Sequence, residues 1–331
     1  MSLASTTEQY ASTLQEKNGS VHVATKALSS PWRPLSLIYS MWLFTESDFF
    51  TLVIPMSLFG ISAALSGTLL SPGSDNTATD VLSRVPYVVL SSWMHLLVFD
   101  LANQRTVEAA VEDGLNKPWR PVPAGRMTPT QARRLLLAAL PCVVIGNHLL
   151  GTGVEALVLV SLTYMYNDLR GGEDHFVIRN ALISVAFGVY HLGAMRIATG
   201  NIDLPIMLTE DATAWLCLIS AVILTTMHVQ DMKDVAGDRM RGRHSAPIIL
   251  GDSVTRWSIA VPVAIWSFVC PAYWSVSVPY YSLSVGLGAV VCTRLLLIRN
   301  TEGDKATWQI WSAWTAGLYL LPVFKDHSLL L

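Results

Sequence analysis

From residue 49 onward the chain alternates apolar runs of roughly 15–20 residues with short polar connectors. A membrane-crossing helix needs about 20 mostly apolar residues. Nine runs answer to that description, near 49–68, 85–103, 131–149, 153–167, 176–195, 212–230, 256–275, 280–298 and 306–323. The fourth is short, and only Leu150-Gly151-Thr152-Gly153 separates it from the third. Ahead of them, PWRPLSLIYSMWLF (31–44) is amphipathic with aromatic anchors and reads as a lead-in helix lying along the interface. Residues 1–30 are polar, rich in Ser and Thr, and lack the apolar centre of a secretory signal, so they read as a cytosolic tail. The sequon Asn18-Gly19-Ser20 is silent there.

Composition moves the same reading from helices to solvent. Apolar residues make up 52% and charged ones 14%, well under the roughly 25% charged of a soluble domain, so one integral membrane domain over 31–331 is expected. A net charge of −2 gives no field for nucleic acid. Cys142, Cys217, Cys270 and Cys292 stand singly in apolar runs and read as packing residues. Charge also orients the bundle. With nine spans, all but Arg84, Arg196 and Lys325 of the 22 Lys and Arg fall on the side of the N-terminal tail, which the positive-inside rule assigns to the cytosol.

On that side two connectors are acidic and then basic. The sixth run leads into Asp231, Asp234 and Asp238, spaced i, i+3, i+7, which on an α-helix share one face. Three like charges so placed call for a cation, and oxygen-only ligands suit Mg2+, which takes one or two carboxylates and completes its shell with water and phosphate. Arg239, Arg241, Arg243 and His244 follow at once. Carboxylates that hold metal beside guanidiniums that hold phosphate oxygens describe a metal-bridged diphosphate site. The plainer alternative is a solvated helix end whose arginines only set topology. The other connector, FDLANQRTVEAAVEDGLNKPWRPVPAGRMT (99–128), carries Asp100, Asn103, Glu108, Glu112 and Asp113, then Lys117, Arg120 and Arg126. Glu108 and Glu112 are one turn apart. Asp100 also reads as a mere helix-end charge, and Arg105 as a local partner of Glu108 or Glu112.

NKPWRPVPAGRMT (116–128) and DMKDVAGDRMRGRHSAPIILG (231–251) resemble the two signature regions of the UbiA-type membrane prenyltransferase superfamily. The likeness extends over nearly the whole chain, since nine helices with long second and sixth connectors is also that family's plan. It implies an all-α integral membrane protein, a nine-helix bundle whose central cavity is capped on the cytosolic side. It further implies Mg2+-bridged binding of a prenyl diphosphate and chemistry through an allylic cation, within the lipid bilayer and with no obligate protein partner. Carried over residue by residue, Asp231, Asp234 and Asp238 take the second motif's metal places, with Asp234 and Asp238 central to catalysis. Lys117 and Arg120 take the basic places after the first motif, and Lys233, Arg239 and Arg243 are further diphosphate candidates. YMYNDLRGG (164–172) and IRN (178–180) resemble the family's polar segment after span four, adding Tyr166, Asn167, Asp168, Arg179 and Asn180.

The first motif departs from the family pattern. Counting back from Asn116 gives Asp113, but the earlier aspartate places fall on Ala109 and on Arg105-Thr106, while Asn103, Glu108 and Glu112 are offered nearby. That form is similar to divergent fungal members in which the prenyl cation attacks its own chain. The expected function is therefore a Mg2+-dependent class I terpene cyclase acting on farnesyl or geranylgeranyl diphosphate, in the endoplasmic reticulum by the same resemblance. The alternative is prenyl transfer to an aromatic or quinone-precursor acceptor; a transporter or scaffold using the acids for ions is a third reading. Cyclisation needs aromatic faces around the cation. Of Trp93, Trp215, Trp257, Trp308, Trp311, Trp314, Tyr164, Phe187, Tyr190 and Tyr319, about a third are expected to face the cavity, the rest being belt or packing residues. His191 and His228 lie inside spans, where an imidazole is costly. Either is a candidate for taking the final proton, with His228 preferred, although a structural role is the plainer account of each; the diphosphate product is the other acceptor.

Overall fold

The computed structural model describes residues 33–67, 76–200 and 208–325, so the expected N-terminal tail lies outside the described residues. Every regular element among them is helical. In chain order they are α1 (Pro34–Asp48), a π-turn (Phe49–Val53), α2 (Ile54–Leu65), α3 (Ala78–Gln104), α4 (Val107–Asn116), α5 (Pro129–Leu149), α6 (Gly153–Asn167), α7 (Gly171–Asp174) and α8 (Phe176–Thr199). There follow α9 (Glu210–Thr226), a 3-10 segment (Met227–Lys233), α10 (Val235–Arg241), α11 (Ala246–Leu250), α12 (Asp252–Trp274), α13 (Val278–Leu297), α14 (Thr301–Tyr319) and a final 3-10 turn (Leu321–Phe324).

Local chemistry sets the helix starts. Thr77 accepts from the Asp80 amide at 3.2 Å while the Asp80 carboxylate accepts from the Thr77 amide at 3.0 Å, a reciprocal cap that opens α3. Thr128 and Gln131 do the same for α5, with Pro129 in the first turn where its missing N–H costs nothing. The lead-in reading of 31–44 is corrected: α1 runs through the π-turn into α2 as one helical path, Pro34–Leu65. Pro55, just past the turn, cannot donate back up the helix, and the backbone widens there.

Seven helical runs among the described residues are long and apolar enough to cross a membrane: Pro34–Leu65, Ala78–Gln104, Pro129–Leu149, Phe176–Thr199, Glu210–Lys233, Asp252–Trp274 and Val278–Leu297. The chain is an integral, multi-pass membrane protein. The fourth and ninth expected spans are helical where the sequence put them, as α6 and α14, but are not among these seven. α6 has 15 residues, about 22 Å of helix against a hydrocarbon core of about 30 Å. α14 opens on Glu302, Asp304 and Lys305.

α8 runs through the middle of the bundle, packed against α2, α3, α6 and α9. Its tightest approach is to α2, where a Cβ on Gly60 would lie 2.5 Å from the Ala194 carbonyl carbon. Small residues permit such contact in lipid, where packing rather than hydrophobicity joins helices. The main core gathers Phe59, Trp215, Trp274, Trp311, Trp314 and Tyr319.

Candidate active site

One end of α3, α6 and α8 opens into a cavity of about 1170 Å3, its open mouth included. α4, the 3-10 segment and α10 roof it. The roof joins the two charged connectors because α10 lies directly on α4: a Cβ on Gly237 would sit 2.2 Å from Asn116 Nδ2 and 2.9 Å from Glu112 Cγ. Lining the mouth are Asp48, Asp100, Asn103, Glu112, Asp113, Asn116, Lys117, Arg120, Arg179, Gln230, Lys233, Asp234 and Arg243. Deeper, the walls are Leu52, Met56, Leu96, Phe99, Leu159, Leu182, Ile183, Phe187, Tyr190 and Met227, with no charged lining residue below Asp100 on α3 or Arg179 on α8.

Nearly every acid at the mouth is matched by a base. Arg120 donates to Asp113 at 2.9 Å and to Asp48 at 3.0 Å, and Asp100 stands 4.0 Å away. Lys117 lies 4.0 Å from Asp48. Glu112 accepts from Arg241 at 2.8 Å and Arg243 at 2.6 Å, and Arg243 also reaches Asp238 at 3.2 Å. Arg179 donates to Asp231 at 2.8 Å and stacks over the Tyr166 ring at 5.7 Å. Lys233 bonds Asp234 and lies 4.6 Å over Trp308.

These fields split the carboxyls. Burial pushes Asp234 up, but Lys233 and Lys117 outweigh it and hold it down at about 2. Burial lifts Asp238 to about 6, with Asp231 adding to it and Arg179 and Arg243 opposing. Burial likewise leaves Asp113 raised despite Arg120, whereas Arg243 and Arg241 overcome the burial of Glu112 and hold it low.

The structure brings Asn103, Glu112, Asp113, Lys117, Arg120, Tyr166, Arg179, Lys233, Asp234 and Arg243 to one cavity. It separates others from it. Glu108 is exposed on the outer first turn of α4, where the helix N-terminus favours an acid. Arg239 is exposed on the outer face of α10. Asp231 and Asp238 are fully buried and do not line the cavity. The single-face reading of the three aspartates is corrected by the backbone: Met227–Lys233 is 3-10, and the chain turns at Asp234 (φ −105°, ψ 5°) before α10. Asp234 thus faces the cavity while its neighbours face buried arginines. Asn180 and His228 bond each other at 3.1 Å, and His228 reaches Ser258 at 3.0 Å; neither lines the cavity. Arg105 pairs with Asp168 rather than with Glu108 or Glu112. Among the described residues no tryptophan lines the cavity; the aromatic walls are Phe99, Tyr166, Phe187 and Tyr190. Asp48, Asn116 and Gln230 were not expected there. Asp48 lies in the polar stretch Thr45-Glu46-Ser47-Asp48 between the lead-in segment and the first apolar run.

Among the described residues no three His, Cys, Asp or Glu side chains form a ready-made metal cage. The donors on hand are hard carboxylate oxygens, and the second oxygens of Asp100, Asp231 and Asp238 are buried without partners. Such a set fits Mg2+ held by one or two carboxylates together with phosphate oxygens and water, and not an all-protein site.

The sequence model of the UbiA prenyltransferase family matches residues 61–316. A somaliensene A/B synthase of Streptomyces somaliensis is 30% identical over 88% of this chain and 94% of its own. A fumagillin beta-trans-bergamotene synthase of Aspergillus fumigatus is 29% identical over 90% and 96%. A polyprenyl transferase of Hericium erinaceus is 28% identical over 87% and 94%. The solved UbiA homolog from Archaeoglobus fulgidus bound to GPP and Mg2+ has the same fold, with a TM-score of 0.57 at 14% identity over 86% of this chain and 99% of that one.

Proposed function

This chain belongs to the UbiA prenyltransferase family, and from that premise we propose that it is a Mg2+-dependent class I terpene cyclase acting on a prenyl diphosphate of fifteen or twenty carbons. The observation that carries the reading is the division of the cavity: every charged lining side chain is at the mouth, and the depth is apolar and aromatic. A diphosphate fits the first part and a folding hydrocarbon the second. Two synthases among the relatives support the same choice. The solved homolog with GPP and Mg2+ supports the ligands.

Lys117, Arg120, Arg179, Lys233 and Arg243 bind the diphosphate oxygens, and Asp234, Glu112 and Asp113, with Asn103 beside them, supply oxygen ligands for the metal. Held by them, Mg2+ would supply positive charge to the leaving group. The allylic C–O bond breaks with both electrons on the diphosphate, and the cation remains against the faces of Phe99, Phe187 and Tyr190, which attract positive charge. Away from water it closes on its own double bonds and ends by losing a proton. Active-site connectors facing the cytosol, in an endoplasmic reticulum membrane, complete the reading.

Prenyl transfer is the second reading, favoured by the polyprenyl transferase among the relatives. Incubating the purified protein with Mg2+ and each prenyl diphosphate, with and without aromatic acceptors, separates the two. Cyclic hydrocarbon without acceptor is expected. Turnover only when acceptor is present would establish transfer instead.

A further inference from the structure

Beyond the apolar walls, on the far side of Ser92 and Tyr190 from the mouth, lies a second, water-sized hollow between α3, α6 and α8. Ser92, Leu159 and Tyr190 line both spaces, so the two share a wall. On α3 the step from Asp100 to Ser92 is eight residues, about 12 Å at 1.5 Å per residue. The hollow therefore meets the far part of a chain whose diphosphate is anchored at the mouth.

Ser91, Ser92, His95, Thr152 and Glu155 bring polar atoms to the wall of this hollow. Glu155 lines it, 3% exposed. One carboxylate oxygen accepts from Arg196 at 2.9 Å, and the other is buried with no hydrogen-bond partner. The Ser91 and Thr152 hydroxyls are turned onto Asn147, at 2.6 and 3.2 Å, and the His95 ring stands edge-on to Tyr190 at 5.7 Å. An unpaired carboxylate oxygen so deep is costly unless something meets it. A polar hollow of one-water size offering roughly 2–4 partners is where a buried water belongs. The histidines named from sequence do not compete for this place. His191 is enclosed by Phe59, Phe187 and Tyr319, and His228 is tied between Asn180 and Ser258.

We propose that this hollow holds one water that ends the carbocation chemistry, with Glu155 as the proton's destination. The water removes a proton from the carbon beside the cationic centre, and the C–H electrons close the alkene. The proton passes from that water to the free Glu155 oxygen, which regenerates the water, while Arg196 remains as counter-ion. This rests on the cyclase reading.

Gly193 supplies a test that leaves the Glu155–Arg196 pair in place. A Cβ there would lie 3.8 Å from Glu155 Cβ and 3.9 Å from Thr152 Cγ2, ordinary contacts, while taking space in the hollow. Wild type, Gly193→Ala and Glu155→Gln are incubated with Mg2+ and the prenyl diphosphate, and both released diphosphate and hydrocarbon products are quantified. Gly193→Ala is expected to release diphosphate within about twofold of wild type, yet to yield at least about tenfold less of the wild-type cyclic product per diphosphate released. Glu155→Gln should shift that same ratio, with partial recovery in Glu155→Asp. A purely structural pair would lower both quantities together in Glu155→Gln and leave the Gly193→Ala ratio unchanged, which overturns the proposal. Should Glu155→Gln fail to fold, Gly193→Ala decides alone. Wild type that turns over only with an aromatic acceptor overturns the cyclase reading and this step with it, an outcome visible before any variant is compared.

Discussion

Arg120 joins three helices: α1 through Asp48 at its end, α3 through Asp100 near its end, and α4 through Asp113. The residue is 4% exposed and its guanidinium bonds two carboxylates at once, which a lysine ammonium cannot reproduce in a fixed fork. Arg120→Lys is therefore expected to lose at least about tenfold in kcat/KM for diphosphate release, about 1.4 kcal/mol of transition-state stabilisation. Lys117, 4.0 Å from Asp48, acts as a point charge, and Lys117→Arg should stay within about threefold. Steady-state kinetics on both variants checks the contrast; equal losses would remove the special place of Arg120. Asp234 faces the cavity, and Lys233 and Lys117 hold its carboxylate ionised. Asp234→Ala should abolish turnover, a loss above about a hundredfold, with an unchanged melting temperature in detergent, and full activity would refute its metal role. Residue type and spacing made Glu112, Arg120 and Asp234 legible in the sequence. They could not reveal that Glu108 and Arg239, in the same motifs, point outward, because that depends on where the backbone breaks at Arg105-Thr106 and turns at Asp234. Asp100 was legible as an acid but also read as a mere helix-end charge, and Asp48 was passed over because it sits in the short polar stretch Thr45-Glu46-Ser47-Asp48 ahead of the first apolar run.

Helix contacts decide whether those residues meet at all. Two glycines separate the fold from the site. On Gly60 a Cβ would strike the Ala194 backbone at 2.5 Å, so α2 and α8 must part; on Gly237 it would strike the side chains of Asn116 and Glu112. The first neighbour is rigid backbone. The second can give, but only by releasing Asn116 from the Asp234 carbonyl and moving Glu112 against its two arginines. Gly60→Ala is accordingly expected to destabilise the folded protein by about 1–3 kcal/mol, read as a lower melting temperature. Gly237→Ala should change the melting temperature little and cut diphosphate release about tenfold or more. A reversed pattern would mean that α4–α10 contact matters to stability and not to the site. At this scale the apolar runs located the long helices among the described residues, since run length is a direct consequence of lipid solvent, except that the first, Pro34–Leu65, was split at its polar stretch 45–48. Periodicity misjudged the 227–238 stretch because i, i+3, i+7 spacing assumes 3.6 residues per turn throughout, and the chain there is 3-10 and then turns.

Across the whole molecule, charge is concentrated at one end of an apolar bundle, and there it is almost entirely self-neutralised: Asp231 by Arg179, Glu112 by Arg241 and Arg243, Asp113 and Asp48 by Arg120, and Asp234 by Lys233. The sequence showed the concentration and its one-sidedness but could not show the pairing, which brings together residues as much as 131 apart, Arg243 with Glu112. Pairing has a consequence for binding. Mg2+ alone must take carboxylates from their arginines and leave those guanidiniums buried without partners, while diphosphate alone must take the arginines and strand the carboxylates. Together the two ligands replace each internal pair with a metal–carboxylate and a phosphate–guanidinium contact. Binding should therefore be strongly synergistic. Inorganic diphosphate with Mg2+, at about a hundredfold over its dissociation constant, is expected to stabilise the folded protein by about 2.7 kcal/mol, seen as a raised melting temperature in detergent. Either ligand alone at the same concentration should move it by a small fraction of that. Asp234→Ala should remove the joint shift while leaving the unliganded melting temperature in place. If instead Mg2+ alone gave the full shift, the internal ion pairs would not oppose metal entry, and the mouth would have to be a preformed metal site.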